Sequence, residues 1–441
     1  MSTTAPAIDD FTLHLQQIRG LIEANQLQQA ALALNAAQKN APTDARIPLI
    51  GMRMAERAGN LEGATQSARR ALALAPDWHV AQIELALLLA RQQQGDEAMK
   101  LAITALAAAP QEPQVMAGAI NVALYSGNES QSLTWAEDGV RRFPDDAGIR
   151  LFLARLLFTR ERYPDARAHY EYLYARLPDH QETLSGLLGC ATHMGEAETA
   201  RVIADRLLAL SPNDENVRYW HALAHGTVPP TQPSKTVARA FDNYAQRFDM
   251  HLVGGLKYRV PERVAQILLE LHPDRHFNLL DLGCGTGLVG LYLGRIDGHI
   301  IGADLSEKMI EQAARHGVYS RFYHVNVLDA LRETPSNYYE AITCTDVLVY
   351  VGDLGPVIPN AARILKHGGH FIFSCETAAE NEADLVLRRS ERYAHKASAV
   401  ERQCREAGFD NVSIEHLPTL RMEAGQPLPG FLVTARKALA A

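Results

Sequence analysis

Residues 277–294 read FNLLDLGCGTGLVGLYLG, a short apolar strand followed by a carboxylate, Asp281, and then by alternating glycines and a helix. Gly285 to Gly290 satisfy the pattern GxGxxG, which alone suggests a nicotinamide or flavin dinucleotide. Asp281 argues against that ligand, because a carboxylate directly before the turn would repel a pyrophosphate. An ammonium or sulfonium group would be attracted instead.

A second apolar strand, HIIGAD, ends at Asp304, nineteen residues after Gly285. This is the spacing at which an acidic residue accepts the hydroxyl protons of a ribose. Taken with Asp281, it predicts a ligand in which a nucleoside is joined to a cation.

These residues resemble the first two motifs of the class I S-adenosylmethionine-dependent methyltransferases, of which LDLGCGTG is a specific form. The resemblance covers about residues 237–441 and implies an α/β Rossmann-like fold with a seven-stranded sheet. It also implies S-adenosylmethionine as cofactor and S-adenosylhomocysteine as product. The implied cofactor contacts are Tyr244, Asp281, Gly283, Cys284, Gly285, Asp304, Leu305, Met309, Asn326, Val327 and Asp346.

Within this set, Asp281 and the glycine loop would hold the methionine moiety, and Asp304 would hold the ribose. Met309 would pack near the adenine. Asn326 stands where the family usually has an acidic residue for the adenine amino group, and Asp329 is the alternative counterpart.

The catalytic candidates are His395, Asp346 and Tyr350, with Glu376 as a weaker one. Asp346 and Tyr350 follow the fourth predicted strand, at the sheet edge where ligands of open α/β sheets bind. His395 has the intrinsic pKa best suited to a base and lies in the insert before the last two strands, NVSIEHL and GFLVTARK. Arg392, Tyr393, Arg421 and Glu423 are expected to shape the acceptor pocket.

Two further segments resemble bacterial predicted methyltransferases that carry tetratricopeptide repeats. These are FDNYAQRFDMHL at 241–252 and RYAHK at 392–396. Tyr244, in the first segment, is expected to face the sulfonium in a cation-π contact. The alternative is an ordinary aromatic residue of an amphipathic helix.

Upstream, prolines recur at an interval of 34 residues, at Pro42, Pro76, Pro110, Pro144, Pro178 and Pro212. Twelve residues before each proline stands Ala or Ser, which predicts a close crossing of two helices. Gly59, Gly127 and Gly195 are expected to form left-handed turns between helices. This register resembles the tetratricopeptide (TPR) repeat, an all-α solenoid, in six copies over about residues 11–214.

The resemblance implies a groove lined by the first helix of each repeat and a protein or peptide partner bound in it. One groove position reads Arg19, Arg53, Leu87, Asn121, Arg155 and Gly189. Its arginines would suit an acidic segment. The alternative is that they are solvated surface charges.

The predicted domains are a solenoid with a capping helix at 1–225, a Pro-rich linker at 226–236 and the methyltransferase domain at 237–441. Lys plus Arg number 43 against 51 Asp plus Glu, which argues against a nucleic-acid or membrane-surface partner. Five scattered cysteines indicate neither disulfides nor a zinc site. We expect a cytoplasmic protein without a metal. The sequence does not indicate the oligomeric state.

The sequence favours an enzyme whose repeats recruit a protein or peptide that the second domain methylates. A small-molecule methyltransferase with repeats used for oligomerisation or docking is the first alternative. A scaffold that only senses the cofactor is the second.

Overall fold

A computed structural model describes residues 10–244, 258–423 and 425–440, without the side chains of 243 and 244. By its internal contacts the chain divides into two compact units, up to Ile203 and from Ala204 onward. Each unit is described by itself below. No helix in the described ranges is long and apolar enough to cross a membrane.

The first unit is a succession of helix pairs in the predicted register. The helices are α1 (Asp10–Glu23), α2 (Leu27–Asn40), α3 (Arg46–Arg57), α4 (Leu61–Leu74), α5 (His79–Arg91), α6 (Gly95–Ala108), α7 (Pro113–Tyr125), α8 (Glu129–Arg142), α9 (Ala147–Thr159), α10 (Tyr163–Tyr174), α11 (Gln181–His193) and α12 (Ala197–Leu210). Each recurring proline lies in the turn between one pair and the next. The prediction of an all-α N-terminal domain built from helix pairs is confirmed by this architecture.

The small residues of the second helices pack where they were predicted to pack. Ala30, Ala64, Ala98, Ser132 and Ala166 are fully buried, and the Ser132 hydroxyl donates to the Ile120 carbonyl at 3.0 Å. A larger side chain would force adjacent helices apart, because interiors pack without spare volume. The small residue that recurs every 34 positions thus allows the helices to pack closely in each repeat.

The turn inside each pair adopts left-handed geometry at one register position in all six repeats. Gly59, Gly127 and Gly195 have φ of +74°, +73° and +75°. The other three copies reach similar values without glycine, at Asn25, Gln93 and Glu161, with φ of 59°, 63° and 59°. The turn is therefore imposed by the helix packing, and glycine only makes it easier to adopt.

The second unit begins inside α12 and includes α13 (Glu215–Ala224), which the sequence assigned to the solenoid as a cap. Contacts with the segment that follows explain why the division falls there. The Glu215 carboxylate accepts from the Ser234 backbone N–H at 2.9 Å, and the Thr236 hydroxyl donates to Asn216 at 2.8 Å. The predicted boundaries at 225 and 237 stay predictions.

The rest of this unit alternates strands and helices. The helices are α14 (Ser234–Tyr244), α15 (Val260–Leu271), α16 (Leu288–Leu293), α17 (Glu307–Ala314), α18 (Val327–Glu333), α19 (Ile358–Ile364) and α20 (Ala397–Glu406). The strands are β1 (Leu279–Leu282), β2 (Ile300–Asp304), β3 (Arg321–His324), β4 (Tyr339–Cys344), β5 (Leu365–Ala378), β6 (Leu385–Leu387), β7 (Tyr393–Lys396), β8 (Phe409–Glu423) and β9 (Gln426–Lys437). A 3-10 turn, Leu348–Tyr350, follows β4.

Within the described residues the sheet has nine strands. Strands β3, β2, β1, β4 and β5 are parallel in that order, β9 runs antiparallel to β5, and β8 pairs with β9. These seven are the predicted strands. The short hairpin of β6 and β7, which the sequence did not predict, adds to the carboxyl end of β5.

The order of the strands positions a ligand site. The chain moves outward from β1 to β3 on one side and from β4 onward on the other, so a crevice opens between the carboxyl ends of β1 and β4. Open α/β sheets bind their ligands at this point. The predicted residues after β1, β2 and β4 all reach it.

Candidate active site

The glycine loop after β1 has a shape that other residues would strain. Gly283, Gly285 and Gly287 have φ of +63°, +53° and +83°. A Cβ on Gly283 would lie 2.2 Å from Cγ2 of Val347. The glycines therefore allow both the left-handed backbone and the close approach of the segment after β4.

Asp304, at the end of β2, ties this loop in place. Its Oδ2 accepts from the Gly285 N–H at 2.8 Å and its Oδ1 accepts from the Ser306 N–H at 2.8 Å. Burial raises the pKa of Asp304, while these backbone donors act in the opposite direction. The carboxylate lines the cavity, where its remaining lone pairs can accept from a ligand hydroxyl.

Asp281 lies in β1, directly before the glycine loop. Its carboxylate accepts from the Tyr319 hydroxyl at 2.6 Å and from the Thr343 hydroxyl at 2.7 Å, and it is buried. Burial raises its pKa to about 6, although both hydroxyls oppose that shift. Asp281 is not among the residues that line the cavity, and its predicted contact with the methionine moiety stays a prediction.

A cavity of about 560 Å³ lies over the carboxyl ends of the strands. Most of its remaining wall is apolar and includes Phe241, Tyr258, Leu288 and Val351. The structure brings nine of the predicted cofactor contacts together in the lining of this cavity: Gly283, Cys284, Gly285, Asp304, Leu305, Met309, Asn326, Val327 and Asp346.

Of the two adenine candidates, Asn326 reaches the cavity and Asp329 does not. Asn326 begins α18, where its Oδ1 accepts from the Leu328 N–H at 2.8 Å. Its Nδ2 donates to the Ser234 hydroxyl at 2.8 Å. Asp329 instead pairs with Arg332 on the surface at 2.6 Å.

The far end of the cavity is a cluster of buried charges around Arg421, which is only 1% exposed. Its guanidinium pairs with Asp346, at 2.5 Å, and with Glu376. Burial raises the pKa of Glu376, and the Arg421 charge opposes that shift. A second pair, Arg392 with Glu423 at 3.1 Å, lies nearby, since Arg392 and Arg421 both line the cavity.

Asp346 and Tyr350 both line the cavity, as predicted. Asp346 has φ of +56°, and its backbone N–H donates to the Ser374 hydroxyl at 2.9 Å. Tyr350 packs edge-on against Phe241, with ring centroids 5.5 Å apart. Burial raises the pKa of Tyr350, so its phenol stays protonated at neutral pH.

His395 does not reach this cavity. It is buried in β7, its Nε2 donates to the Gly352 carbonyl at 2.9 Å, and its pKa is lowered by burial. It lines a separate cavity of about 320 Å³ instead. Tyr393 is likewise buried, donating to the Pro229 carbonyl at 2.8 Å. The expectation that these two residues face the acceptor therefore needs correction, because both hold the connecting segments against the hairpin.

The side chain of Tyr244 lies outside the described residues, so its predicted contact stays a prediction. Tyr319, whose hydroxyl also accepts from the Gly290 N–H at 3.2 Å, was missed by the sequence reasoning. So was Ser306, whose hydroxyl donates to Asp242 at 2.6 Å. Ser306 precedes a helix with an acidic residue in its first turn, a pattern that predicts an N-cap. The sequence around Tyr319 contains no such pattern.

In the solenoid, three of the predicted groove residues have partners within the chain. Arg53 pairs with Glu84 at 3.2 Å, and Arg155 pairs with Glu182 at 3.1 Å. The Asn121 amide donates to the Ala117 carbonyl of its own helix at 3.0 Å. Arg19 is exposed. The interpretation of this register as charges of a solvated helix face has gained support.

The cavity fits S-adenosylmethionine on three observations. The glycine loop forms part of its lining, the buried Asp304 carboxylate lies beside that loop, and most of the lining surface is apolar.

Comparisons with known proteins support the same assignment. A family model described as "Methyltransferase domain" matches residues 280–373, and one described as "Tetratricopeptide repeat" matches residues 157–225. A ubiquinone biosynthesis O-methyltransferase of Hahella chejuensis is 31% identical over 99 residues, which is 22% of this chain and 42% of that protein. A protein of the same name from Bordetella avium is 26% identical over 193 residues, covering 40% of this chain and 78% of its own length.

The chain thus spans about two fifths of the length of the first curated relatives it matches. Among solved structures, a Burkholderia thailandensis 1,6-didemethyltoxoflavin-N1-methyltransferase is 19% identical, with a TM-score of 0.37 over 48% of this chain and 92% of its own. The type IV pilus biogenesis factor PilW is 18% identical, with a TM-score of 0.42 over 48% of this chain and 98% of its own. The family models show that the chain carries a methyltransferase domain preceded by tetratricopeptide repeats.

Proposed function

We propose that this protein transfers the methyl group of S-adenosylmethionine to an acceptor bound at the Arg421 end of the cavity. The observation that carries this proposal is the convergence of the glycine loop, Asp304 and Asn326 on one wall of the cavity. Bound there, the cofactor supplies a methyl group activated by a sulfonium.

One end of the cavity is proposed to bind the cofactor and the other to bind the methyl acceptor. Asp304 is placed to accept from ribose hydroxyls, while Met309 and Val327 supply apolar wall for the adenine. The largest part of the rate enhancement comes from alignment in a dry pocket, which removes roughly 7 to 11 kcal/mol of barrier in well-oriented reactions. The buried, largely apolar wall provides that exclusion of water.

Asp346 is the proposed proton acceptor, and Tyr350 positions the acceptor group. Both side chains line the cavity, unlike His395, and the protonated Tyr350 phenol can donate a hydrogen bond. A general base contributes typically 10²- to 10⁴-fold to such a step. The Arg421 ion pair fixes the orientation of the Asp346 carboxylate.

The charges at this end indicate what kind of acceptor fits. Asp346, Glu376 and Glu423 supply three carboxylates against the two guanidiniums of Arg392 and Arg421. An anionic acceptor would find no unpaired cation in this cluster and would be repelled by the excess negative charge. A neutral acceptor with an apolar ring or chain fits better.

For the acceptor itself we propose first a protein or peptide group recruited by the TPR groove, because the two kinds of domain are joined in one chain. The second proposal, a small molecule, is favoured by the apolar cavity and by relatives named for ubiquinone biosynthesis. In that case the repeats serve docking or oligomerisation.

A transfer assay distinguishes the two proposals. The full chain is incubated with radiolabelled S-adenosylmethionine and a lysate separated into protein and small-molecule fractions. The groove variant Arg53→Ala with Arg155→Ala is compared with the matched control Arg141→Ala, a surface arginine on a second helix. A labelled protein that is lost only in the groove variant supports recruitment, whereas label in small molecules, unchanged by either variant, supports the second proposal.

Absence of any labelled product with the wild-type chain would overturn both. It would favour the third possibility, a scaffold that only senses the cofactor.

A further inference from the structure

We propose a transition-metal site formed by Asp205 of α12 with His221 and His225 of α13. Nε2 of His221 lies 2.9 Å from Oδ1 of Asp205, and Nε2 of His225 lies 2.8 Å from the same oxygen. The three ligand atoms lie within 4.8 Å of one another. Across the ranges that the structure describes, no other group of three such residues meets this criterion.

The sequence of α13 brings the two imidazoles together. His221 and His225 are four residues apart in HALAH, so they project from one face of the helix and its last turn. Their ring centroids are 4.3 Å apart. Asp214 begins the helix by accepting from the Asn216 and Val217 N–H groups, which fixes its rotation.

The distances suit a divalent ion without rearranging the backbone. Zinc bonds to imidazole nitrogen and carboxylate oxygen at about 2.0 to 2.2 Å, which in a tetrahedron separates two ligand atoms by about 3.3 Å. Asp205 and each histidine need to separate by only about half an ångström to admit the ion. Small rotations of exposed side chains achieve this.

The donor set selects the class of metal. Two imidazoles and one carboxylate suit Zn²⁺, Ni²⁺ or Cu²⁺, and they disfavour Mg²⁺ and Ca²⁺, which prefer all-oxygen sites. The side chains of the three residues are 58%, 26% and 35% exposed. Solvent can therefore deliver the ion and water can complete its coordination.

The ion would fasten α13 to α12. The next segment is already attached to α13 through Glu215 and Asn216, so the metal would hold the first helices of the second unit as one block. Because the ion binds the folded arrangement of these ligands, it should raise stability as the concentration of free ion rises above its dissociation constant. The site is separate from the proposed methyl-transfer cavity, whose lining includes none of the three residues.

The test uses the full chain, free of affinity tag and treated with chelator, titrated with Zn²⁺ by calorimetry. We expect the wild type to bind one more equivalent of Zn²⁺ than the variant His221→Ala with His225→Ala. Asp205→Asn, which keeps a hydrogen-bond acceptor but removes the charge, should weaken that equivalent about tenfold or more. Thermal unfolding should shift upward with Zn²⁺ in the wild type, and this shift should be lost in the double variant.

The matched control is His276→Ala, which removes a histidine paired with a single carboxylate, Asp297, at 2.9 Å. It should bind Zn²⁺ as the wild type does. Because His221 and His225 lie at the surface, circular dichroism should show the double variant folded. Equal stoichiometry, affinity and thermal shift in the wild type and the double variant would overturn the proposal.

Discussion

Substitution of Gly283 by alanine tests whether the glycine loop is shaped by the segment that follows β4. Two costs follow from the structure. The residue would keep φ of +63°, which costs an L-residue roughly 1 to 2 kcal/mol. Its Cβ would also lie 2.2 Å from Val347 Cγ2, an overlap of the kind that costs about 1 to 3 kcal/mol in packed interiors.

We therefore expect Gly283→Ala to lower the free energy of unfolding by about 2 to 5 kcal/mol. Val347→Ala removes the colliding methyl groups, so Gly283→Ala should cost only about 1 to 2 kcal/mol in that background. Urea unfolding of the wild type, both single variants and the double variant measures this coupling. If the two substitutions lower stability additively, Gly283 and Val347 do not meet and the reasoning is refuted.

Further predictions concern cofactor binding, the buried charges, the turns and pH. Asp304→Asn should weaken the binding of S-adenosylhomocysteine, measured by calorimetry, about tenfold or more, since a charge-assisted hydrogen bond contributes about 1.5 to 3 kcal/mol. An unchanged affinity would contradict the proposed hydrogen bond from the ribose to Asp304. Arg421→Met should lower the free energy of unfolding, measured in urea, by about 3 to 5 kcal/mol, because two carboxylates lose their buried partner. A loss below about 1 kcal/mol would argue against a buried ion pair at Arg421. Gly127→Ala should destabilise the protein by about 1 kcal/mol, because alanine adopts the left-handed turn less readily than glycine. Glu161→Gly should not destabilise it, because the turn at residue 161 is also left-handed and glycine adopts it without strain. Equal losses of stability in the two variants would count against a shared left-handed turn. The pKa of Asp281, raised to about 6, makes the folded state bind the proton more tightly than the unfolded state, so its contribution to stability should fall as pH rises from 4 to 6. Asp281→Asn should remove that part of the pH dependence in urea titrations, and an unchanged profile would contradict the raised pKa.

The sequence predicted what depends on local pattern. The interval of 34 residues located the buried Ala30 and Ala64, because close helix packing requires small residues at fixed spacing. The glycine loop and Asp304 were found because strand, turn and carboxylate lie within one short stretch. The left-handed turns at Gln93 and Glu161 were not anticipated, since neither residue type favours that conformation and only the packing of the repeats imposes it.

Contacts distant in sequence could not be predicted. Arg421 meets Asp346 across 75 residues and Glu376 across 45. No local pattern marks such a cluster. The strands β6 and β7 are too short to show a strand pattern in the sequence. His395 lies in β7 and does not line the cavity, although its intrinsic pKa had made it a candidate base. The pair HALAH was visible, but Asp205, on another helix, completes the proposed metal site only in the fold.

The most direct test of the central claim is equilibrium dialysis of radiolabelled S-adenosylmethionine against the full-length wild type, with S-adenosylhomocysteine or NAD⁺ as competitor. The account predicts saturation at one molecule per chain, displacement by S-adenosylhomocysteine and no displacement by NAD⁺, since the loop and Asp304 face a nucleoside without a pyrophosphate. Absence of saturable binding, or displacement by NAD⁺, would contradict it.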